Sequence, residues 1–223
     1  MFQRIEHEDI GPGRISDAKE YVRAHEKRMD FMYGPFLKDL KRFDINGKCL
    51  EIGAGPGLFT TMFARQFPDT HIMITDISPV MIAQARQTIK KYGLEDRVDF
   101  TLLDVNDSDV LRRLGKFDLI YSIYSMHHWP DLNRGLASLV DGIDSGGNLY
   151  LGDLKRVWWL YYLPTNSNDI RQIRAAYRPS EISQVFDRLG MVDYSIKTLF
   201  PYFMQSVMIR KSGLCTGGFK DRR

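Results

Sequence analysis

The sequence predicts one α/β domain built on a doubly wound, mostly parallel sheet of seven strands, with helices on both faces and an antiparallel hairpin at one edge. Two observations support this fold class. From residue 45 onward, short apolar runs alternate with amphipathic stretches of helical periodicity, which is the pattern of successive βαβ units. The last two apolar runs are separated only by a Pro201-Tyr202 turn, which predicts an antiparallel pair.

The elements follow in chain order from these patterns. The predicted strands cover residues 49–52, 71–75, 98–103, 117–122, 148–152, 192–200 and 203–209. The predicted helices cover about 17–32, 35–43, 59–67, 79–92, 107–114, 132–140, 166–178 and 180–190. Helix-capping residues agree with this assignment, because Ser78-Pro79 is suited to a helix start and Gly93 and Gly115 are suited to helix ends.

Length and composition favour one domain. A chain of 223 residues with 43% hydrophobic content buries one sizeable core. We expect a helical cap over residues 1–44, a main domain over 45–210 and a flexible tail over 211–223. Cys49 and Cys215 lie far apart, without a nearby Cys or His at ligand spacing, so neither a disulfide nor a metal site is predicted. No targeting or membrane segment is visible, and a cytoplasmic location is expected.

The charge distribution argues against a broad nucleic-acid interface. The net charge of +3 comes entirely from residues 211–223, where four basic residues accompany one acid. Residues 1–210 are therefore formally neutral. Nucleic-acid binding depends on clustered Lys and Arg that meet phosphates. The sequence thus carries no strong nucleic-acid signal, although a local basic patch is left open.

A glycine-rich loop follows the first predicted strand directly. It reads Gly53-Ala54-Gly55-Pro56-Gly57, and a helix is predicted to begin within the next two residues. Glycine lets a ligand approach the main chain, so the loop predicts a binding site. The third glycine comes one residue earlier than in a dinucleotide fingerprint, which has glycine where this chain has Leu58. This difference weakens the prediction of NAD.

Acidic residues end the next two strands. Ligands of open α/β sheets bind beyond the carboxyl ends of the strands. Asp76 lies about twenty residues beyond the loop, where a carboxylate accepts both hydroxyls of a ribose. Asp104 offers a carboxylate to an exocyclic amine, and Val105 offers a backbone amide to a ring nitrogen. Together these positions predict an adenosine site.

Over residues 45–210 the chain resembles the class I S-adenosylmethionine-dependent methyltransferases, which have a Rossmann-like fold. The matching motifs are Glu51 ahead of the glycine loop, Asp76 as the ribose acid, Asp104 as the adenine-contacting acid and the Gly146-Gly147 turn before strand five. The resemblance implies S-adenosylmethionine as cofactor and S-adenosylhomocysteine as product. It also implies the cofactor-binding set Glu51, Gly53, Ala54, Gly55, Gly57, Asp76, Ile77, Asp104, Val105 and Ser122.

The segment after strand four would face the transferred methyl group. Histidine is readily used as a base near neutral pH, so His127 and His128, together with Tyr124, are the candidate catalytic residues. A structural role for either histidine stays open. The Asp/Asn-Pro-Pro-aromatic signature of amino-group methylation on nucleic-acid bases is absent, which lowers that substrate class.

The candidate substrate pocket combines two aromatic groups and one basic position. Tyr21 and Tyr33 recur near helical spacing ahead of the loop, with packing against the sheet as the alternative. Aromatic faces bind rings and cations, so Trp158, Trp159 and Tyr162 are included, with a lid or a dimer interface as the alternative. Arg174 completes the set, since arginines 171, 174 and 178 would share one helix face.

These observations predict a methyltransferase that transfers the methyl group of S-adenosylmethionine to a small-molecule nucleophile. Two alternatives are kept. One is an RNA or protein methyltransferase, and the other is a non-catalytic module that binds the cofactor or its demethylated product. A homodimer is possible, and the acceptor and the methylated atom are left open.

Overall fold

The computed structural model describes residues 4–5, 15–162 and 167–211. The strands are β1 Gly47–Ile52, β2 Thr70–Asp76, β3 Val98–Leu102, β4 Phe117–Ile123, β5 Ile143–Leu154, β6 Tyr194–Leu199 and β7 Met204–Arg210. The helices are α1 Ile15–Glu26, α2 Met29–Leu40, α3 Leu58–Gln66, α4 Pro79–Lys91, α5 Ser108–Leu114, α6 Leu132–Gly142, α7 Asn168–Ala175 and α8 Pro179–Arg188. Short 3₁₀ turns lie at Glu95–Arg97, Met126–His128 and Trp158–Tyr162.

The strands form one sheet in the order β3-β2-β1-β4-β5-β7-β6. Strands β1 to β5 are parallel, and β7 lies antiparallel between β5 and β6. Chain order reverses between β1 and β4, which is where ligands bind in folds of this kind. The predicted fold class, including the antiparallel edge hairpin, is confirmed.

Strand β5 is longer than predicted, and the Gly146-Gly147 pair lies within it rather than before it. The pairing with β4 is irregular there, since Phe117 opposes Ile143 but Leu119 opposes Asn148. A side chain at position 147 would approach the carbonyl oxygen of Asp118 to 2.9 Å. Glycine therefore allows the backbones of β4 and β5 to pass closely at this irregularity.

The two N-terminal helices divide at a different place from the one predicted. The break falls between Glu26 and Met29, so that Pro35 lies inside α2 instead of opening it. Predicted helix 166–178 is likewise shorter, because α7 ends at Ala175. Of the predicted tail 211–223, all but the first residue lies outside the described residues, and the division into cap, domain and tail stays a prediction.

The core has one layer on each face of the sheet. Alternate residues of β1 face opposite layers, so Cys49 packs with Phe36 and Phe63 while Leu50 packs with Leu136 and other residues of the second layer. Burial of each such side chain contributes roughly 1.5–3 kcal/mol. A third, smaller cluster covers the end of β5 and contains Leu154, Leu160, Ile170, Ile173 and Ala176.

Candidate active site

A cavity of about 560 Å³ lies at the carboxyl ends of β1 to β4. Its size is within the range of small-molecule sites, roughly 300–1,000 Å³. Among the described residues its wall consists of Arg4, Tyr21, Tyr33, Ile52, Gly53, Ala54, Gly55, Pro56, Asp76, Ile77, Met81, Leu103, Asp104, Val105, Ile123, Tyr124, Ser125, His128, Trp129, Pro130 and Gln172.

The glycine loop brings bare backbone to this wall. Gly53 and Gly55 have φ angles of 67° and 55°, in the left-handed region that favours glycine. A Cβ at Gly53 would come within 2.6 Å of the Cβ of Ser125, whereas a Cβ at Gly55 would meet no protein atom within 4 Å. At Gly55, therefore, a ligand rather than the protein can use the space beside the main chain.

Asp76 at the end of β2 is fixed by the loop that it faces. One carboxylate oxygen accepts the Gly55 N–H at 2.9 Å, and the other accepts the Ser78 N–H at 2.8 Å. Burial raises the pKa of this carboxyl group, and the backbone donors partly oppose the change. The carboxylate therefore has fixed orientation at the cavity wall, with oxygen lone pairs that can accept further hydrogen bonds.

The wall beyond β3 contains the predicted adenine contacts. Asp104 Oδ1 accepts the backbone N–H of Asn106 at 2.9 Å, which holds the turn that presents Val105. Val105 is buried, whereas Ile77 is 58% exposed at the edge of the cavity. The structure thus brings the predicted positions at 76, 77, 104 and 105 to one end of the cavity.

Three predicted cofactor residues do not line the cavity. Glu51 lies beneath the loop, where Oε2 accepts Thr60 Oγ1–H at 2.6 Å and the Tyr121 hydroxyl at 3.0 Å. Burial raises the pKa of Glu51 to about 7. Ser122 donates to the Ile52 carbonyl at 2.9 Å within the sheet. Gly57 directly precedes α3, and its φ of 77° lies in the left-handed region that favours glycine.

Tyr124 is held in the wall in an unusual conformation. Its φ of 56° is uncommon for a side chain of this size. Its hydroxyl donates to the Met32 carbonyl at 2.9 Å, which ties the end of β4 to α2. Burial raises the pKa of Tyr124 further above its ordinary value. The phenol therefore stays neutral near pH 7 and is poorly suited to act as a base.

The two histidines have different surroundings. His128 lines the cavity, whereas His127 is 1% exposed and lies behind it. The two oxygens of the buried Asp153 carboxylate accept the backbone N–H of His127 at 2.8 Å and face its Nδ1 at 2.7 Å. The rings of His127 and His128 lie 4.0 Å apart. Asp153 therefore fixes the turn that presents His128.

Asp153 is a residue that the sequence reasoning missed. It follows the predicted end of strand five by one position, where the same rule that identified Asp76 and Asp104 would have selected it.

Hydrogen bonds within and behind this turn hold it in contact with the glycine loop. Trp129 Nε1 donates to Ser125 Oγ at 3.1 Å, and that hydroxyl occupies the space that a side chain at Gly53 would need. The Tyr177 hydroxyl donates to the Trp129 carbonyl at 3.3 Å. The loops after β1 and β4 are therefore positioned against each other.

Residues from the N-terminal region close the cavity. Tyr21 and Tyr33, predicted as substrate-pocket residues, both line it. Arg4 also lines it, and sequence reasoning missed this residue because no local pattern marks it. Its Nε donates to the Ala175 carbonyl at 2.6 Å, and Nη2 donates to the His127 carbonyl at 2.9 Å.

The other predicted substrate residues lie elsewhere. Trp158, Trp159 and Tyr162 are 61%, 43% and 70% exposed, because Leu160 is the residue of their 3₁₀ turn that packs into the third cluster. Arg174 donates to the Leu160 carbonyl at 3.1 Å and lies over the Tyr161 ring. Since α7 ends at Ala175, arginines 171, 174 and 178 do not share one helix.

The site has the polar groups that suit S-adenosylmethionine. The open space beside Gly55 admits a ligand against the main chain, while Asp76, Asp104 and the Val105 amide match the hydroxyls, amine and ring nitrogen of an adenosine. No group of three or more acidic, His or Cys side chains within the described ranges could hold a metal ion. Within the same ranges, no helix has the length and apolar character to span a bilayer.

Comparisons with known proteins agree with this fit. Residues 50–149 match the family model described as a methyltransferase domain. A tRNA1(Val) (adenine(37)-N6)-methyltransferase of Porphyromonas gingivalis is 34% identical over 95 residues, covering 40% of this chain and 37% of that protein. Malonyl-(acyl-carrier protein) O-methyltransferase 1 of Ilyobacter polytropus is 31% identical over 100 residues, covering 45% of this chain and 35% of that protein. The chain thus spans little more than a third of the length of these curated relatives.

The fold is shared with solved structures. A SAM-dependent methyltransferase from Aquifex aeolicus superposes with a TM-score of 0.69 at 15% identity, over 90% of this chain and 100% of that one. Fold and site together define a class I methyltransferase architecture. The family match covers residues 50–149, a little less than half of the chain, and over this range the chain is similar to the class I S-adenosylmethionine-dependent methyltransferases; the prediction of this cofactor is confirmed.

Proposed function

We propose that this chain transfers the methyl group of S-adenosylmethionine to a small-molecule nucleophile. The observation that carries the proposal is a single cavity whose wall joins Asp76 and Asp104 at one end to His128 and Arg4 at the other. The first end suits the adenosine of a donor, and the second suits an acceptor that loses a proton. When bound, the cofactor supplies an electrophilic methyl group on a sulfonium sulfur.

The protein's part at the donor end is to bind and orient. Asp76 would accept the two ribose hydroxyls, and its bond to the Gly55 N–H links that contact to the glycine loop. Asp104 would accept the exocyclic amine, and the Val105 amide would donate to the ring. Glu51 supports the loop from below rather than touching the cofactor.

At the acceptor end the protein aligns the nucleophile and excludes water. Holding an acceptor in line with the methyl carbon and the sulfur supplies most of the advantage that a site of this kind offers. Of the two histidines, His128 is the one that lines the cavity, so we propose that its imidazole accepts any proton that the acceptor releases. His127 and Asp153 position that ring. Tyr124 forms part of the cavity wall and does not act as a base.

A small-molecule acceptor is favoured over RNA or protein. The curated relatives include both a tRNA methyltransferase and an O-methyltransferase whose name specifies a carrier-bound malonyl group. At the end of β4 this chain carries Ser122-Ile123-Tyr124-Ser125 instead of an Asp/Asn-Pro-Pro-aromatic signature, and residues 1–210 are formally neutral. The cavity of about 560 Å³ also has the size of a small-molecule site.

Calorimetry with S-adenosylhomocysteine, S-adenosylmethionine and NAD tests the cofactor part of the proposal. We expect binding of the first two and none of NAD. Formation of S-adenosylhomocysteine from S-adenosylmethionine, followed over a panel of small phenols, amines and carboxylic acids, tests turnover. Cofactor binding with no turnover on small molecules but methylation of total RNA would contradict the small-molecule acceptor, and binding without any turnover would favour a non-catalytic module.

A further inference from the structure

We propose that Arg4 forms an anion subsite at the acceptor end of the cavity, and that the acceptor bears a carboxylate. The inference rests on the proposed function, since it names the class of acceptor for the same site. Arg4 is the single Lys or Arg among the described residues that line the cavity. The two carboxylates of the wall, Asp76 and Asp104, belong to the donor end.

The Arg4 guanidinium is held in place by two hydrogen bonds and one aromatic ring. Nε donates to the Ala175 carbonyl at the end of α7, and Nη2 donates to the His127 carbonyl in the turn after β4. The group also stacks over the Tyr177 ring, 4.2 Å from the ring centre. A cation fixed in this way gives up little conformational freedom when it binds a ligand.

Donor groups remain for such a ligand. A guanidinium has five N–H groups in a planar fork, and the bonds to Ala175 and His127 use two of them. Three are left beyond those bonds, and the side chain contributes to the cavity wall. A planar fork of this kind matches the two oxygens of a carboxylate.

Arg4 contacts a turn that is separated from the donor end in the order of the strands. His127 follows β4, whereas Asp76 and Asp104 follow β2 and β3, two and three strands away. With neighbouring strands about 4.8 Å apart, the end of β4, which leads to the turn that Arg4 contacts, lies roughly 10–14 Å from the ends of β2 and β3. The aromatic wall formed by Tyr124 and Trp129 lies on the same side as Arg4 and suits a flat acceptor.

The test compares an acid with an amide of the same shape on the full chain saturated with S-adenosylhomocysteine. We use 4-hydroxybenzoate and 4-hydroxybenzamide, titrated calorimetrically. The acid is expected to bind about 10- to 100-fold more tightly than the amide, which is the range of charge-assisted hydrogen bonds. In Arg4→Met the acid should bind no better than the amide, with the affinity for S-adenosylhomocysteine unchanged within about twofold.

Two further variants keep the test informative. Arg4→Lys retains the charge without the fork, so the preference for the acid should shrink but persist, even if Arg4→Met fails to fold. Arg113→Met removes an exposed arginine from α5 and should leave every affinity unchanged.

The failures of the two proposals are distinguishable. Equal binding of acid and amide, or binding of neither, with intact affinity for S-adenosylhomocysteine would overturn the anion subsite alone. A tenfold loss of S-adenosylhomocysteine affinity in Arg4→Met, with the acid preference retained, would assign Arg4 to the donor's own carboxylate. Absence of S-adenosylhomocysteine binding in the wild type would overturn the proposed function and this inference with it.

Discussion

The two ends of the cavity are built in different ways. The donor end consists of short loops that directly follow β1, β2 and β3, and backbone hydrogen bonds such as Gly55 N–H to Asp76 hold it. The acceptor end is assembled from the turn after β4, the end of β5, the end of α7 and the N-terminal residue Arg4. In the proposed function, the cofactor would thus be held by the regular part of the fold, and the acceptor by segments that are remote in sequence.

The largest expected effect is the loss of cofactor affinity when the donor end is altered. Asp76→Ala removes the carboxylate that we assign to two ribose hydroxyls, and charge-assisted bonds of about 1.5–3 kcal/mol each predict a loss of S-adenosylhomocysteine affinity of about 1,000-fold. Calorimetry measures it. Asp99→Ala on the exposed edge of β3 serves as the control, and equal affinity in the two variants would remove Asp76 from the ribose contact.

Glu51, beneath the same loop, is expected to make the stability of the protein depend on pH. Burial raises its folded-state pKa from 4.5 to about 7, so between these pH values the folded protein binds more protons than the unfolded chain. The free energy of unfolding should therefore fall as pH rises from 4.5 to 7, by at most roughly 3.5 kcal/mol, since a difference of one in pKa corresponds to about 1.4 kcal/mol.

Urea unfolding at pH 5 and pH 8 checks this dependence. Glu51→Gln cannot ionise and should be less sensitive to pH than the wild type, so it gains relative stability at pH 8. Glu95→Gln, at an exposed 3₁₀ turn, should follow the wild type. Parallel curves for wild type and Glu51→Gln would show that the carboxyl group titrates alike in both states.

The acceptor end predicts a change in turnover without a change in donor binding. His128→Gln should lower kcat by about 100-fold at neutral pH, the lower range for a positioned base, while S-adenosylhomocysteine affinity stays within about threefold. His127→Gln should lose stability through the Asp153 contact yet retain more turnover than His128→Gln. If His127→Gln instead lowered kcat more than His128→Gln, the buried His127 ring would be identified as the base.

The smallest effect is expected outside both ends. Trp158→Ala alters a side chain that is 61% exposed, so kcat and donor affinity should stay within about twofold of wild type. Steady-state kinetics on an accepted substrate measures this. A tenfold rise in KM would instead include the exposed aromatic residues in acceptor binding.

The donor end was largely predictable from sequence because its signals are local. A glycine loop and an acid directly after a strand identify Gly55, Asp76 and Asp104 without knowledge of the tertiary structure. What the spacing did not resolve was which side chains face the cavity. Glu51 and Ser122 lie on strands, where their orientation toward Tyr121 and the Ile52 carbonyl depends on the packed sheet.

The acceptor end was not predictable in the same way. Arg4 bonds a carbonyl 123 positions away and another 171 positions away, so no sequence spacing indicates the contact. The aromatic run at 158–162 does not line the cavity, because a 3₁₀ turn directs Leu160 into the core and leaves both tryptophans partly in solvent. Periodicity over five residues does not select between these orientations.

Asp39 bears on how molecules enter and leave the cavity. This buried carboxylate of α2 accepts the Ser206 hydroxyl at 2.8 Å and the Tyr150 hydroxyl at 3.3 Å, and Lys197 approaches it to 3.4 Å. Asp39 thereby joins α2 to β5, β6 and β7 at once, and moving the helix away would leave the Ser206 and Tyr150 hydroxyls without this acceptor. We therefore expect donor and product to enter and leave through a part of the cavity wall other than the side that α2 covers.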